Sequence, residues 1–332
     1  MQSAFRAFVV AKDESGFRAG VEQVGINALP EGDILVRVQY SSVNYKDGLA
    51  SIPEGKIVQR YPFIPGIDLA GEVIESANGE FSPGDRVLCT GYGLGVSHEG
   101  GYAEYARLPA AWLVRLPEGL TAKEAMTIGT AGFTAALSVD RLLRAGLAPE
   151  NGPVLVTGAS GGVGSMAVDI LSKLGFEVTA STGKAPKEAL LRGLGAAEVI
   201  SRVDLVASAA AGALGRERWA AVVDPVGGPG TGELLKVVRY GGAIAVSGMT
   251  GGGKFESTVF PFILRGVQLL GIDSVMCPAQ LRQSVWDRLA GEWKPIRALE
   301  QAVTEVELEQ LPQALEAVLA GKSVGRQVVR IS

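Results

Sequence analysis

The stretch Val154 to Gly175, VLVTGASGGVGSMAVDILSKLG, leaves this chain few folds to choose from. It opens on a short β-branched run of the kind that forms a buried parallel strand, then continues into Met166, Val168, Ile170, Leu171 and Leu174 at helical spacing. Between the two lies Gly158-Ala159-Ser160-Gly161-Gly162-Val163-Gly164. Glycines three residues apart at a strand-to-helix corner let the backbone turn tightly and approach a pyrophosphate, while Gly164 lets the helix pack on its strand. The helix start adds free N–H groups and the positive end of a dipole. A glycine cluster by itself can be no more than a flexible turn. Here a second strand, expected over Phe176 to Ser181, completes the unit and selects dinucleotide binding.

The dinucleotide is chosen about 20 residues past the turn, where an acidic side chain would accept hydrogen bonds from the 2′-OH of NAD. This chain has Ser181-Thr182-Gly183-Lys184 there, with Lys187 one turn on. No carboxylate stands ready to repel a 2′-phosphate, and a hydroxyl and an ammonium are placed to bind one. The other reading of Lys184 and Lys187 is a pair of solvated charges opening a helix. NADPH is the expected cofactor.

At 332 residues there is material for two domains, and 47% hydrophobic with 20% charged residues is a globular balance. A net charge of -4 without any basic run argues against a nucleic-acid partner. No apolar stretch is long enough to cross a bilayer, and MQSAFRAFVVAKDESG lacks the apolar core and cleavage site of a signal peptide. Two cysteines, Cys89 and Cys277, make no disulfide framework, so a cytoplasmic protein is expected. Those cysteines and the one histidine, His98, lie in distant segments and fall short of the ligands a zinc centre needs; no metal is expected.

Residues 1 to about 120 read as mostly β, with strands expected at 33–40, 68–75, 86–90 and 102–108, the pattern of a small barrel or sandwich. Two stretches are too polar and glycine-rich for core: Asn44 to Gly48 and Gly91 to Gly101, loops or short helical turns. Thr121-Ala122-Lys123-Glu124 is a capping box, and a helix is expected over 131–145. After the glycine turn, strands (198–200, 219–224, 241–248) alternate with helices (204–214, 230–238), the signature of a parallel doubly wound sheet. Its strand ends at Asp224 to Gly228 and Ser247 to Thr250 belong on the cofactor edge. The tail reads as a strand at 267–271, helices at 279–290 and 308–320 and a strand at 326–331, returning to the first domain.

TGASGGVG is also similar to the opening of a short-chain dehydrogenase, but that family needs a Tyr-x-x-x-Lys pair, and none of the seven tyrosines here has a lysine four residues on. The chain as a whole resembles the zinc-free, quinone-oxidoreductase-like branch of the medium-chain dehydrogenase/reductase superfamily that includes the acrylyl-CoA reductases. The resemblance rests on Asn44-Tyr45-Lys46-Asp47, Pro65-Gly66-Ile67-Asp68, Gly129 to Ala135, Thr157 to Gly164, Pro261 to Arg265 and Gly271 to Val275, which span nearly the whole chain. It implies an α/β protein: a GroES-like β-barrel domain over 1–125, completed by 266–332, and a Rossmann doubly wound parallel sheet domain over 126–265. The implied activity is NADPH-dependent reduction of acrylyl-CoA to propionyl-CoA. A quinone or general enone reductase, or a non-enzymatic NADPH-binding sensor, would share the cofactor features.

The resemblance further puts Tyr45 at the nicotinamide, with Asn44 and Asp47 in the same loop, and makes Tyr45 a candidate proton donor, water being the alternative. It puts Ser160, Gly161, Gly162, Val163, Gly164, Ser165 and Met166 at the pyrophosphate. Ser181, Thr182, Lys184 and Arg202 fall around the adenosine phosphate, Met249, Ile263 and Ser274 along the nicotinamide half, and Arg326 near the cleft. Read alone, Arg202 is a surface charge, Ile263 a core residue and Ser274 part of a turn. Lys184 departs from the arginine common in this branch and loses its fork geometry. Without a metal, a conjugated alkene is the fitting substrate, since its β-carbon is already electrophilic and catalysis reduces to alignment and donors aimed at the carbonyl oxygen. A homodimer, pairing through an exposed edge strand near 241–248 or 267–271, is expected by analogy.

Overall fold

The computed structural model describes residues 4–183, 187–207 and 212–332. The chain opens on an antiparallel hairpin, β1 (Ala4–Asp13) and β2 (Gly16–Gly25), whose turn uses Gly16 at φ +119. β3 (Ile34–Ser42) leads through Asn44 into the short helix α1 (Tyr45–Ala50), followed by β4 (Asp68–Ser76), β5 (Arg86–Thr90), β6 (Tyr105–Leu108) and β7 (Val114–Arg115). β3 is the hub: it pairs antiparallel with β4 and with β6. Ile34, Leu35 and Val36 are buried in succession, so this strand begins covered on both faces. Phe5, Phe8, Phe63, Leu69 and Tyr102 anchor one continuous apolar core beneath these strands.

α2 (Ala122–Arg144) starts on the expected capping box: the Glu124 N–H donates to Thr121 Oγ1 at 3.1 Å, and the Thr121 N–H to Glu124 Oε2 at 2.8 Å. It kinks at Gly129, whose φ of 50° and ψ of -160° are not helical. The chain divides into two compact units one residue later. The first holds Met1–Thr130, Val275–Ala290 and Val303–Ser332; the second holds Ala131–Ser274 and Gly291–Ala302.

The second unit runs β8 (Val154–Val156), α3 (Gly162–Lys173), β9 (Val178–Thr182), α4 (Glu188–Gly193), β10 (Glu198–Ser201), α5 (Arg202–Ala207) and β11 (Trp219–Asp224). It continues with α6 (Pro229–Leu235), β12 (Val238–Val246), α7 (Phe260–Arg265) and β13 (Gln268–Gly271). The six strands are parallel in the order β10-β9-β8-β11-β12-β13. Counted within the unit this is 3-2-1-4-5-6, the Rossmann order. β8 and β11 are buried along their whole length, as a sheet covered on both faces demands. The tail adds α8 (Ala279–Ala290), α9 (Ile296–Gln301), β14 (Val303–Glu307), α10 (Leu311–Leu319) and β15 (Arg326–Arg330). β14 and β15 join the sheet of the first unit, next to β3.

Three expectations need correction. The segment after 265 does not return whole to the first unit: β13 completes the parallel sheet, and Gly291–Ala302 also belongs to the second unit. The reason is α3, whose buried Asp169 accepts the Ala298 N–H at 2.8 Å and whose Lys173 reaches the carbonyls of Gly291 and Lys294. The strand expected at 241–248 is interior, flanked by β11 and β13, so only β13 lies at that edge. The helix expected over 204–214 spans Arg202–Ala207, and residues 208–211 lie outside those described. Among the described residues no helix is long and apolar enough to cross a membrane.

Candidate functional site

In the second unit the glycine turn joins β8 to α3, and backbone geometry decides what fits there. Gly158 has a φ of +54°, and a Cβ on Gly164 would lie 2.4 Å from the Gly158 carbonyl oxygen. Gly161 is the extended N-cap of α3, and the Ser165 N–H donates to its carbonyl at 2.9 Å. The N–H groups of Gly162, Val163 and Gly164 stand ahead of that first helical bond, free of helical acceptors, where an anion is stabilised. Met166 is fully buried, so its side chain belongs to the core and only its main chain is on offer. The Ser165 hydroxyl turns back to the Gly162 carbonyl at 3.3 Å.

The turn is tied to the end of β9. Ser160 and Thr182 share a hydroxyl hydrogen bond of 2.9 Å, and the Ala159 N–H donates to the Ser181 carbonyl at 3.0 Å. Ser181 and Thr182 are buried, whereas Arg202 is exposed and lays its guanidinium over Gly183: a Cβ there would come within 3.2 Å of Nη2. Thr182 and Arg202 therefore meet around one glycine. Lys184, the third expected member, lies outside the described residues. Met249 is 72% exposed and Ile263 69%, so Ile263 is no core residue; Ser274 is half-buried.

The first unit gathers a separate cluster around α1. Tyr45, the first residue of that helix, is 47% exposed. Behind it everything is enclosed. The Asn44 N–H donates to Asp47 Oδ2 at 2.8 Å, and the Ile67 N–H to Asp47 Oδ1 at 2.9 Å. Asn44 Nδ2 donates to Asp68 Oδ2 at 2.8 Å, and Asp68 also accepts from the Ser42 hydroxyl at 2.5 Å and from the Thr130 N–H and hydroxyl at 2.9 and 2.5 Å. Arg326, 3% exposed, donates to the carbonyls of Thr127 and Val43 at 2.9 and 3.1 Å and to Asn44 Oδ1 at 3.2 Å. Within this unit Arg326 is an interior strut.

Burial is the main force on these charges. It pushes the Asp47 carboxyl up to about 7, helped by repulsion from Asp68 and opposed by the two N–H donors. It lowers Arg326, with Asp68 and Asp47 opposing, and drives the Tyr102 phenol well above its ordinary value, with Asp47 and Asp68 adding to the rise. The Tyr102 hydroxyl donates to the Ser42 carbonyl at 3.1 Å. Asn44 and Asp47, expected in the same loop as Tyr45, stand at the start of its helix, where the Asp47 carboxylate accepts the N–H of the N-cap residue Asn44.

Of the remaining candidates, His98 is half-buried, with Nδ1 3.0 Å from the Glu99 carbonyl and its ring edge-on to Trp112. Cys89 is buried and its thiol is pushed up to about 12 by that burial. Cys277 is buried too. Among the described residues no cluster of three or more histidine, cysteine or acidic side chains is gathered to hold a metal. Reading by residue passed over Asp68, Gly129 and Thr130, because a buried carboxylate beside a strand carries no local signature. The blocks Pro65 to Asp68 and Gly129 to Ala135 are the traces these residues leave in the sequence.

Known proteins match this arrangement closely. Residues 30–118 fit the alcohol dehydrogenase GroES-like domain, and residues 162–291 the zinc-binding dehydrogenase domain. The acrylyl-CoA reductase AcuI of Ruegeria pomeroyi is 46% identical over 330 residues, 99% of each chain. Two solved structures superpose over almost all of the chain. The Bacillus subtilis protein yhfP with NAD bound gives a TM-score of 0.96 at 49% identity, covering 99% of this chain and 100% of that one. The Salmonella enterica yhdH oxidoreductase in complex with NADP gives 0.94 at 43% identity, covering 98% and 100%.

Proposed function

This chain belongs to the acrylyl-CoA reductase family of the medium-chain dehydrogenase/reductase superfamily, and from that membership we propose that it reduces an activated C=C bond with NADPH, acrylyl-CoA to propionyl-CoA. One observation carries the cofactor: the bare turn from Gly158 to Gly164, where a Cβ on Gly164 would strike backbone, at the start of α3. The N–H groups of Gly162, Val163 and Gly164 would hold the pyrophosphate. Ser181, Thr182, Lys184 and Arg202 would receive the 2′-phosphate, and Met249, Ile263 and Ser274 would line the nicotinamide half. When bound, the nicotinamide supplies a hydride to the β-carbon of the thioester. A proton must then reach the α-carbon, and we assign it to the Tyr45 hydroxyl, half-exposed on the first turn of α1. Asn44, Asp47, Asp68 and Arg326 act behind it by fixing where α1 begins.

The reading needs no zinc. Cys89, Cys277 and His98 are too few for a zinc centre, and a conjugated thioester needs no Lewis acid to draw a hydride. Free, buried cysteines accord with a reducing compartment, the cytoplasm. The working form is a homodimer joined along β13.

NADPH oxidation followed with acrylyl-CoA, crotonyl-CoA and a benzoquinone, before and after treatment with a chelator, tests the proposal. Turnover should be highest on acrylyl-CoA and unaffected by the chelator. Faster turnover on the quinone would reassign the enzyme as a quinone reductase; no turnover on any acceptor would leave a nucleotide-binding sensor. Tyr45→Phe should lower kcat about tenfold or more, and an unchanged kcat would hand the proton to water.

A further inference from the structure

Asp224 ends β11 fully buried, and among the described residues no cation pairs with it. Its carboxylate is held by four neutral donors. Oδ1 accepts from the Thr157 hydroxyl at 2.6 Å and from the N–H groups of Val226 and Gly227, each at 3.1 Å. Oδ2 accepts from the Thr231 hydroxyl at 2.6 Å. A buried carboxylate without a counter-ion is costly unless its lone pairs are filled, and these four donors fill them. The donors come from three segments: the start of the glycine turn, the turn after β11, and α6.

The turn after β11 is in turn locked to the one after β12. A Cβ on Gly248 would lie 1.9 Å from the Pro225 oxygen, one on Gly227 would lie 2.4 Å from the Gly248 oxygen, and one on Gly228 would lie 2.2 Å from the Gly251 oxygen. The Gly251 N–H donates to the Val226 carbonyl at 2.8 Å. The two turns, the second of which carries Met249, form one backbone block, and Asp224 bolts it to Thr157.

We propose that Asp224 is a positioning residue for the dinucleotide, fixing the distance from the pyrophosphate turn to the loop block at the nicotinamide end of the sheet. This rests on the NADPH reading above. The residue touches no part of the cofactor; it acts through Thr157 and through the loop block.

The test compares wild type, Asp224→Asn and Thr157→Val, as full-length proteins well below their unfolding temperatures. NADPH is titrated by fluorescence, and adenosine 2′,5′-bisphosphate, which lacks pyrophosphate bridge and nicotinamide, by calorimetry. Asp224→Asn keeps the shape but turns an amide toward a donor. It and Thr157→Val should weaken NADPH about tenfold, while the bisphosphate stays within about twofold. Unchanged NADPH affinity in either folded variant overturns the proposal, as does equal weakening of both ligands, which would make Asp224 a fold-wide support. Should Asp224→Asn fail to fold, Thr157→Val alone decides. Wild type that binds neither ligand would sink the cofactor reading itself.

Discussion

Asp47 is the residue whose surroundings and charge conflict most. Both of its oxygens accept N–H bonds, yet burial holds its carboxyl at about 7 against an ordinary value of 3.8. The folded state therefore binds this proton more tightly than the unfolded chain does. Stability from this group is full below about pH 4 and is lost as pH rises through about 7. Asp68, Tyr102 and Arg326 are the charged or titratable groups that face it. Thermal unfolding should show wild type gaining about 2 kcal/mol between about pH 8 and about pH 5.5 relative to Asp47→Asn; parallel curves would mean that Asp47 stays ionised. Gly129 poses the steric counterpart. At φ +50° it sits where a Cβ would be 2.7 Å from Asp68 Oδ2 and 2.8 Å from both Arg326 Nη2 and Ser42 Oγ. Gly129→Ala should lower unfolding free energy by about 2–4 kcal/mol in a denaturant titration. A loss within about 0.5 kcal/mol would show that the cluster yields easily.

Among the elements, those with a strong local pattern were legible and those held by distant partners were not. β5, β11 and α8 fall on their expected bounds, because an apolar run between turn residues or a periodic stripe marks them. β14, short and only partly buried, carries no such pattern; it exists because it pairs with β15. α9 is likewise held by the Asp169 side chain on α3. The site divides the same way. The glycine turn was readable because a tight corner restricts residue type, whereas the Asp68 contacts join residues 24 to 62 positions apart and those of Arg326 residues 199 to 283 apart. Where β9 ends, Thr182 and Arg202 flank Gly183, so Arg202→Ala should raise KM for NADPH about tenfold and leave KM for NADH within about twofold. Equal changes for both cofactors would remove Arg202 from 2′-phosphate recognition.

For the whole molecule, the chain's division into segments follows from its sheets. β13 had to stay with the parallel strands, and β14 and β15 with the antiparallel ones, so the C-terminal tail alternates between units in a way that no composition change signals. Among the described residues that alternation leaves β13 with one strand neighbour, β12, and an open edge. The α7 residues Ile263 and Leu264 are mostly exposed, as is Val259 just before them, and Leu269 on β13 is 39% exposed. An open edge beside exposed apolar side chains is a hazard in a lone chain but a self-complementary surface in a two-fold pair, because a strand on the axis meets its own copy antiparallel. Sedimentation of wild type at micromolar concentration should therefore give a species of two chains, and Leu264→Glu with Leu269→Lys should give one. Both changes lie away from the glycine turn, so the single-chain form should still bind NADPH. A double variant that still sediments as two chains would move the contact off β13, and a wild type that sediments as one would refute the dimer.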